Sequence, residues 1–500
     1  MLAAIDIGSN GIRMQVVRLN DASRFELIDY QRAPVRLGQD VFSLGYITEA
    51  NIQATVQALK RFRSIVQHLG VPRLRAVATS AVREAENSDI FLDRVTQETS
   101  IVPEVISGEE EARLVHLAVS KAMDLRDKYA VLIEIGGGSV EVTLSYGETI
   151  LSSESYRLGT VRLLQKFGSV TDNLLSFSRM VLEYAELARQ RIDREIGAQK
   201  IDLCIATGGN VEALGMLRQQ LLRRRSSYFI TLDELETLVE TVGLMPLQER
   251  IDRLGLRPDR ADVIIPAGIV LHMIARETRL RQIQIPHVGL KEGILWDMLP
   301  EALCQRPPRD QQIRASALRL AQKYQMDLQH GQQVARLADR LFEQSECLHR
   351  LGGEERLLLE VASLLHDIGQ FIQPADHEKH GYYIVKHSPL IGFTPSQQDV
   401  VAHIIRYHRK EPPSLQDETF RSLPQRERLT VTKLTAILRL ADSLDTSRSH
   451  AIRDLHLQPT NRNGWRLILE GEGDLLLEKW QLRKRKKLFE DVFGVSLEIA

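Results

Sequence analysis

Residues 3–17 read AAIDIGSNGIRMQVV and residues 130–144 read AVLIEIGGGSVEVTL, so one pattern occurs twice about 130 residues apart. Each copy has a β-rich run, an acid, one apolar residue, a tight turn of small residues and a second alternating run. Asp6 aligns with Glu134, Gly8 with Gly136, and Arg13 with Glu141. Apolar alternation resumes after each turn with a period of two, which predicts two β-hairpins. The same observation argues against a dinucleotide-binding fingerprint, where the glycines open a helix. A duplicated hairpin predicts two related α/β domains facing each other across a cleft. A third glycine turn, Ile205-Ala-Thr-Gly-Gly-Asn210, follows a strand-like run over 201–205 and precedes helical spacing in VEALGMLRQQLLRRR.

The remaining organisation is read around this repeat. Five hundred residues, at about 150 per domain, suggest three or four domains. An apolar fraction of 43% and a charged fraction of 26% suit a chain that buries real cores and argue against disorder. Helical spacing in 48–70 and 109–124 assigns residues 1–124 to a first domain, and 125–305 form a second that closes near LKEGILWDML. Paired prolines in Arg306-Pro-Pro-Arg309 read as a linker, since they block helix continuation. Residues 306–450 are helical in pattern and rich in histidine: ten of the 14 histidines lie between 330 and 456. Residues 451–500 form a small α+β end, with strands around the Asn461–Gly464 turn and a final helix in KRKKLFEDVFG.

Charge and cysteine content limit the function. The formal net charge is −1, so no global field recruits nucleic acid or an anionic membrane, and an anionic ligand needs a local site. Cys204, Cys304 and Cys347 are odd in number and widely spaced, which argues against a disulfide framework or a zinc cage. The start meets Asp6 too soon for a signal peptide. The longest apolar stretch, 263–275, contains Pro266 and His272 and is too short for a bilayer. A cytoplasmic protein is expected.

Backbone N–H groups in a glycine-rich turn bind phosphate oxygens without bulky side chains in the way. Asp6, Glu134 and Glu141 carry too much negative charge for a phosphate site unless a cation intervenes, and hard oxygen ligands suit Mg²⁺. One such hairpin alone would be only a turn; the duplication of acid and glycines favours phosphate binding. In Val105-Ile-Ser-Gly-Glu-Glu-Glu-Ala-Arg-Leu114, Ser107 and Glu110 fit a capping box and Glu109 favours the helix dipole. Glu111 is left without a structural duty. Arg83, in Thr79-Ser-Ala-Val-Arg-Glu-Ala85, follows a strand-like run over 74–78 and is a forked donor for an anion, although a lone arginine is more often a surface residue.

Taken in order, DIGSNGIRM, ATSAVREA, ISGEEEARL, IEIGGGSVE, SYRLGTVRL and IATGGN resemble the exopolyphosphatase / guanosine pentaphosphate phosphohydrolase family. RADVIIPAGIVL, GLKEGIL, HEKHGYYIVKHSPLIGF and IIRYHRK extend the likeness over nearly the whole chain. The resemblance implies two ribonuclease-H-like domains of the actin-like ATPase superfold around a phosphate cleft. It implies that Glu111 is the general base, that Glu134 and Glu141 hold Mg²⁺, and that Asp6 stands beside the phosphates. Gly8, Ser9, Asn10 and Gly11 would form the first phosphate turn, and Gly136, Gly137, Gly138 and Ser139 the second. Arg83 would grip the phosphate chain, and Gly208 and Gly209 would lie beneath the cleft. Three positions depart from the family pattern: Glu134 where Asp is common, Gly11 where Ser is common, and Asn210 where Thr is more usual.

The helical region holds a second constellation. His330, His366-Asp367 and Asp442 resemble the HD-domain phosphohydrolase pattern, in which these residues meet on one metal. An imidazole and carboxylate set suits Mn²⁺ or Fe better than Mg²⁺. His380, His403 and His408 are candidates for a second metal. Arg483–Lys487 and Leu222–Arg225 are basic runs that suit a long polyanion or simply a solvated helix face; no aromatic stacking pattern points to nucleic acid.

The expected activity is Mg²⁺-dependent release of terminal phosphate from inorganic polyphosphate, with conversion of pppGpp to ppGpp as the alternative. Other readings are hydrolysis in the HD-like domain with the amino-terminal pair sensing phosphate chains, and, least favoured, a sugar or acetate kinase. The resemblance also implies a homodimer.

Overall fold

The strand Leu2–Gly8 (β1) is buried along almost its whole length, because its sequence LAAIDIG is apolar on both faces apart from Asp6. Such a strand belongs in the middle of a sheet covered on both sides. The computed structural model, which describes residues 1–20, 24–168, 173–197, 199–300, 309–460 and 464–500, places it there. Around it lie Gly11–Leu19 (β2), Phe25–Ala33 (β3), Leu74–Ala78 (β4) and Pro103–Val105 (β5), in the order β3-β2-β1-β4-β5. β1, β2 and β3 form an antiparallel meander, while β4 and β5 run parallel to β1.

A second sheet repeats this plan. Tyr129–Ile135 (β6), Val140–Tyr146 (β7) and Thr149–Tyr156 (β8) form the meander, Leu203–Thr207 (β9) pairs parallel with β6, and Gln282–Gln284 (β11) pairs parallel with β9. The order is β8-β7-β6-β9-β11, extended by Phe229–Thr231 (β10) at the edge. The duplication reaches fine detail: the register slips between Val16 and Val17 in β2 and between Leu144 and Ser145 in β7, equivalent positions of the two hairpins. A bulge twists and bends its strand, so the two meanders curve at the same place.

The two sheets share a core. Leu2, Ala4 and Val77 from the first and Ala130, Leu132 and Ile205 from the second join one buried cluster with the helices Gly108–Ala122 and Leu290–Asp297. The expected division at 124/125 is therefore crossed by packing. The apolar stretch over 263–275 is a buried helix, Ile264–Glu277, with Pro266 in its first turn, where a missing N–H costs little.

The chain separates into two compact units, Met1–Pro308 and Arg309–Ala500. The second unit is largely helical. Its three-stranded sheet comprises Ile452–Pro459 (β12), Gly464–Gly471 (β13) and Ser496–Ile499 (β14). Ile452, Leu455, Leu467, Leu482, Phe489 and Leu497 belong to the same hydrophobic cluster as the helical core, so residues 451–500 do not form a core of their own. The final helix spans Leu476–Phe493 and so begins before the expected KRKKLFEDVFG. β14 was not anticipated. The linker residues 306–308, Cys304 and most of the Asn461–Gly464 turn lie outside the described residues. Cys204 and Cys347 are free thiols. Among the described residues no helix is long and apolar enough to cross a membrane.

Candidate active site

The two predicted hairpins form as expected, and their turns face one another. A Cβ built on Gly137 would lie 3.0 Å from the Cβ of Ser9 and 3.4 Å from that of Asn10. Any side chain there would push the two turns apart, so glycine sets how closely the phosphate loops approach. Gly208 has φ +102°, and a Cβ on it would meet the carbonyl oxygen of Ile135 at 2.8 Å. It ends β9 and opens the helix Gly209–Leu221 at the base of the cleft.

These turns line a cavity of about 360 Å³. Asp6, Gly8, Ser9, Asn10, Glu111, Glu134, Gly136, Gly137, Ser139, Gly208 and Gly209, all singled out in the sequence, reach it. Glu141 stands directly behind: oxygens of Glu111, Glu134 and Glu141 lie within 4.8 Å of one another, and all three residues are buried. Gly11 pairs with Gly8 to close the first hairpin, away from the cavity lining. Gly138 is also outside the lining; a Cβ there would strike Phe42 and Ser80 at 2.4 Å, so it is needed for packing. Arg83 is outside the lining too, and its Nη1 donates to the carbonyl of Ile106 at 2.5 Å. Its charge nonetheless steadies Glu111 and Glu141 electrostatically.

Local structure explains why Glu111 points inward. Ser107 caps the helix Gly108–Ala122 by accepting from the N–H of Glu110. The return half of the expected capping box does not form, because the Glu110 carboxylate is gripped by Arg113 at 2.7 and 2.8 Å. Arg113 also binds Asp297. With Glu110 so occupied and Glu109 half-exposed, Glu111 alone turns into the interior. Burial and then repulsion from Glu141 and Glu134 push its carboxyl well above the usual range. Burial and Glu141 do the same to Glu134. Glu141 is raised by burial despite a 2.8 Å hydrogen bond from Ser155. One oxygen of each glutamate (Oε2) has no hydrogen-bond partner among the described residues. Three buried carboxylates with three orphaned oxygens fit a hard divalent cation, which would satisfy the oxygens and cancel the repulsion.

Asp6 needs no such cation, since Arg13 binds it at 2.7 Å. Arg13 and three further cleft residues carried no assigned role in the sequence: Arg257, Arg260 and Lys291. Arg260 and Lys291 lie within RADVIIPAGIVL and GLKEGIL, segments that carried the resemblance without assigned roles. For Arg260 the available signal was a basic residue just ahead of a largely apolar helix. Burial, followed by repulsion from Arg13 and Arg257, pulls Arg260 down to about 10. Its Nη1 donates to Asn210 Oδ1 at 3.0 Å, and Asn210 in turn donates to Thr160 at 3.2 Å. The unusual Asn210 therefore orients an arginine at the cleft floor. The cavity is thus lined by glycine-turn amides, four acids (Asp6, Glu111, Glu134 and Glu212) and four cations, with Tyr30, Ile135, Met216, Leu256 and Leu290 as its larger apolar residues.

In the second unit, His330, His366, Asp367 and Asp442 converge from the ends of separate helices. His330 Nε2 lies 3.8 Å from oxygens of both Asp367 and Asp442, and His366 Nε2 lies 3.7 and 3.5 Å from them. Burial opposes charge on His366, but the two carboxylates overcome it and lift the ring to about 9. Of the three residues suggested for a second metal, only His408 reaches this cluster. His403 is engaged elsewhere, with Asp399 and Thr419, and His380 is half-buried on the helix His377–Lys386. The neighbour that does join, His377, was passed over because its segment read only as part of the family likeness.

A duplicated sheet whose hairpin turns meet over a buried acidic cluster is the frame of a phosphohydrolase that cleaves phosphoric anhydrides. The chain belongs to the Ppx/GppA phosphatase family: residues 15–302 match that family and residues 313–486 match its domain III. It is 29% identical over 489 residues to a guanosine-5'-triphosphate,3'-diphosphate pyrophosphatase of Vibrio campbellii, an alignment covering 95% of this chain and 91% of that one. An exopolyphosphatase structure from Cytophaga hutchinsonii is 25% identical with a TM-score of 0.57, covering 61% of this chain and 98% of the other. The Aquifex aeolicus member of the Ppx/GppA family is 26% identical with a TM-score of 0.51, covering 59% and 95%.

Proposed function

We propose that the amino-terminal cleft hydrolyses the terminal phosphoanhydride bond of a linear phosphate chain, inorganic polyphosphate being the substrate. The observation that carries this reading is the set of orphaned oxygens on Glu111, Glu134 and Glu141 directly beneath two facing phosphate turns. The amides around Ser9–Asn10 and Gly136–Gly137 bind non-reacting phosphate oxygens, and Arg13, Arg260 and Lys291 offset their charge. Glu134 and Glu141 would hold Mg²⁺, which when bound supplies neutralisation of the phosphate oxygens. Glu111, the third acid, orients a water molecule and takes its proton as the oxygen attacks phosphorus. Burial and the neighbouring acids make Glu111 a stronger base than a surface glutamate, a tendency that suits proton abstraction near neutral pH.

A second substrate, pppGpp, is favoured by one observation: the relative named for that nucleotide aligns over both units of the chain. Both substrates end in the same phosphoanhydride, so the chemistry is common to them. Phosphate release with Mg²⁺, measured side by side on long-chain polyphosphate and pppGpp for wild type and Glu111→Gln, tests the reading. Faster release from polyphosphate that disappears in the variant is expected. Faster release from pppGpp moves the substrate, and activity that survives Glu111→Gln overturns the assigned base.

A further inference from the structure

The basic run Arg483–Lys487 suits a polyanion or a solvated helix face when read as sequence, and the structure gives it a setting. A cavity of about 670 Å³ lies between the loop after the helix Pro395–Tyr407 and the helices Gln425–Ser443 and Leu476–Phe493. Six cations line it, Arg409, Lys410, Arg439, Lys484, Arg485 and Lys487, against one acid, Asp491. Lys410 reaches Asp376 and Glu378, and Arg485 gives Nη1 to Asp442 at 2.5 Å. Lys486 points elsewhere and pairs with Glu490, whereas Lys484 and Lys487 form no ion pair among the described residues. Arg439 is the most telling. It is only 7% exposed, and its Nε and Nη2 donate to the backbone carbonyls of Tyr407 and Glu411. Those neutral partners satisfy the N–H groups and leave the charge without a counter-ion. Burial, followed by repulsion from Arg485, pulls the guanidinium down to about 10. A buried charge with no opposite charge is costly, so the cavity favours an anion.

Two further features say what else the anion carries. Gln481 also lines the cavity, and its Oε1 is sealed from solvent with no hydrogen-bond partner among the described residues. That oxygen can only accept. An ionised phosphate brings acceptors and no donor, so a bare phosphate chain leaves Gln481 unsatisfied. A hydroxyl or a ring N–H satisfies it. Trp480 stands one turn before Lys484 on the same helix face, and 55% of its surface is exposed. Lys484 Nζ lies 5.2 Å from the centre of its ring. An indole left in water beside phosphate-binding cations is a platform on which a flat base stacks.

We propose that this cavity binds a nucleoside polyphosphate, with its phosphates on Arg439, Lys484 and Lys487, its base against Trp480, and a hydroxyl or base N–H donated to Gln481. The volume falls within the range of small-molecule sites, about 300–1,000 Å³. Every lining residue belongs to the second unit, so the site does not depend on the amino-terminal cleft or on the reaction assigned there. Among the described residues the lining holds no histidine, serine or cysteine and a single acid, so it lacks both a nucleophile and a set of oxygen ligands for a metal. The nucleotide is therefore held and not cleaved, which makes it an effector of the protein.

The test titrates the full-length protein with ATP and, separately, with inorganic tripolyphosphate, both in a chelator so that the acids of the amino-terminal cleft repel phosphate. ATP should quench tryptophan fluorescence saturably in wild type and not in Trp480→Phe, which localises the signal. Calorimetry should give ATP about tenfold the affinity of tripolyphosphate. Trp480→Ala and Gln481→Leu should each remove most of that preference and leave tripolyphosphate binding as it is. Lys484→Ala, Lys487→Ala should weaken both ligands about tenfold. These two lysines are exposed, and circular dichroism checks the fold of every variant. Equal affinity of wild type for the two ligands overturns the nucleotide and leaves a site for bare phosphate chains. Absence of ATP binding, or ATP binding that the double lysine variant does not weaken, overturns the site itself.

Discussion

Glu134 and Glu141 stand directly opposite each other across the second hairpin, at the register position that Asp6 and Arg13 occupy in the first. The duplicated fold therefore offers the same cross-strand pair twice, once as an ion pair and once as two like charges. Like charges placed opposite each other destabilise a sheet, and these two are buried. Arg13 supplies in one hairpin the positive charge that the proposed Mg²⁺ would supply in the other. On this reading the metal belongs on one side of the cleft only.

Replacing Glu141 by glutamine relieves that repulsion. In the metal-free protein Glu111, Glu134 and Glu141 hold their protons more tightly folded than unfolded. Their contribution to stability is intact below the ordinary carboxyl value of 4.5 and is lost as pH rises through the raised folded values. Thermal melts in a chelator should show Glu141→Gln more stable than wild type near neutral pH, by about 1 kcal/mol or about 3 °C, with the gap closing toward about pH 4. Mg²⁺ should stabilise wild type and leave the variant unmoved. A variant that melts with wild type at every pH and still responds to Mg²⁺ contradicts the metal assignment.

Glu111→Gln keeps the shape of the side chain and removes the base. The expected result is a fall in kcat of about a hundredfold or more, with KM changed by less than about threefold, since general base catalysis commonly contributes ~10²–10⁴. Steady-state phosphate release resolves the two parameters. A large rise in KM with kcat preserved would make Glu111 a binding group.

The hairpins, the helix carrying Glu111 and the strand Leu74–Ala78 were legible because each advertises itself locally, through a period of two, a serine cap or an apolar run. The cleft cations were not, because Arg260 is placed by Asn210 fifty residues earlier in the chain and Lys291 by the packing of its helix beside β1. Arg83 illustrates the converse: its motif implied direct contact with phosphate, whereas its guanidinium is engaged by the Ile106 carbonyl. In the second unit the sequence order of His330, His366-Asp367 and Asp442 exposed four residues that cluster. His403, one of the histidines suggested for a second metal, lies outside that cluster while His377 reaches it, and the bonding of their ring nitrogens separates the two.

Arg260 should act on substrate binding. Its Nη1 is held by Asn210 at the cleft floor, and a charge-assisted hydrogen bond to phosphate contributes about 1.5–3 kcal/mol. Arg260→Met should raise KM for polyphosphate about tenfold or more. Gly209→Ala should have a related effect without touching the charge, because the new Cβ would lie 2.6 and 2.8 Å from the Arg260 guanidinium nitrogens. If kinetics on both variants match wild type, Arg260 is a structural residue only.

The last prediction concerns the placement of the base. The helix Leu290–Asp297 packs on Gly108–Ala122 through Gly293, whose Cβ position lies 2.0 Å from the carbonyl oxygen of Leu114. Only a glycine allows that approach, and the carbonyl belongs to the helix whose first turn carries Glu111. Arg113 and Asp297 bridge the same two helices at 3.0 Å, and Arg75 joins Asp297 at 2.7 Å. Gly293→Ala must therefore separate the helices and shift the first turn that carries the base. The expected cost is about 1–3 kcal/mol of stability, from overpacking, seen as a lower Tm. Activity at a temperature where the variant remains folded should fall further than the loss of folded protein explains, because Glu111 is displaced relative to Glu134 and Glu141. Proportional loss of activity and folded fraction would show that the contact serves stability alone.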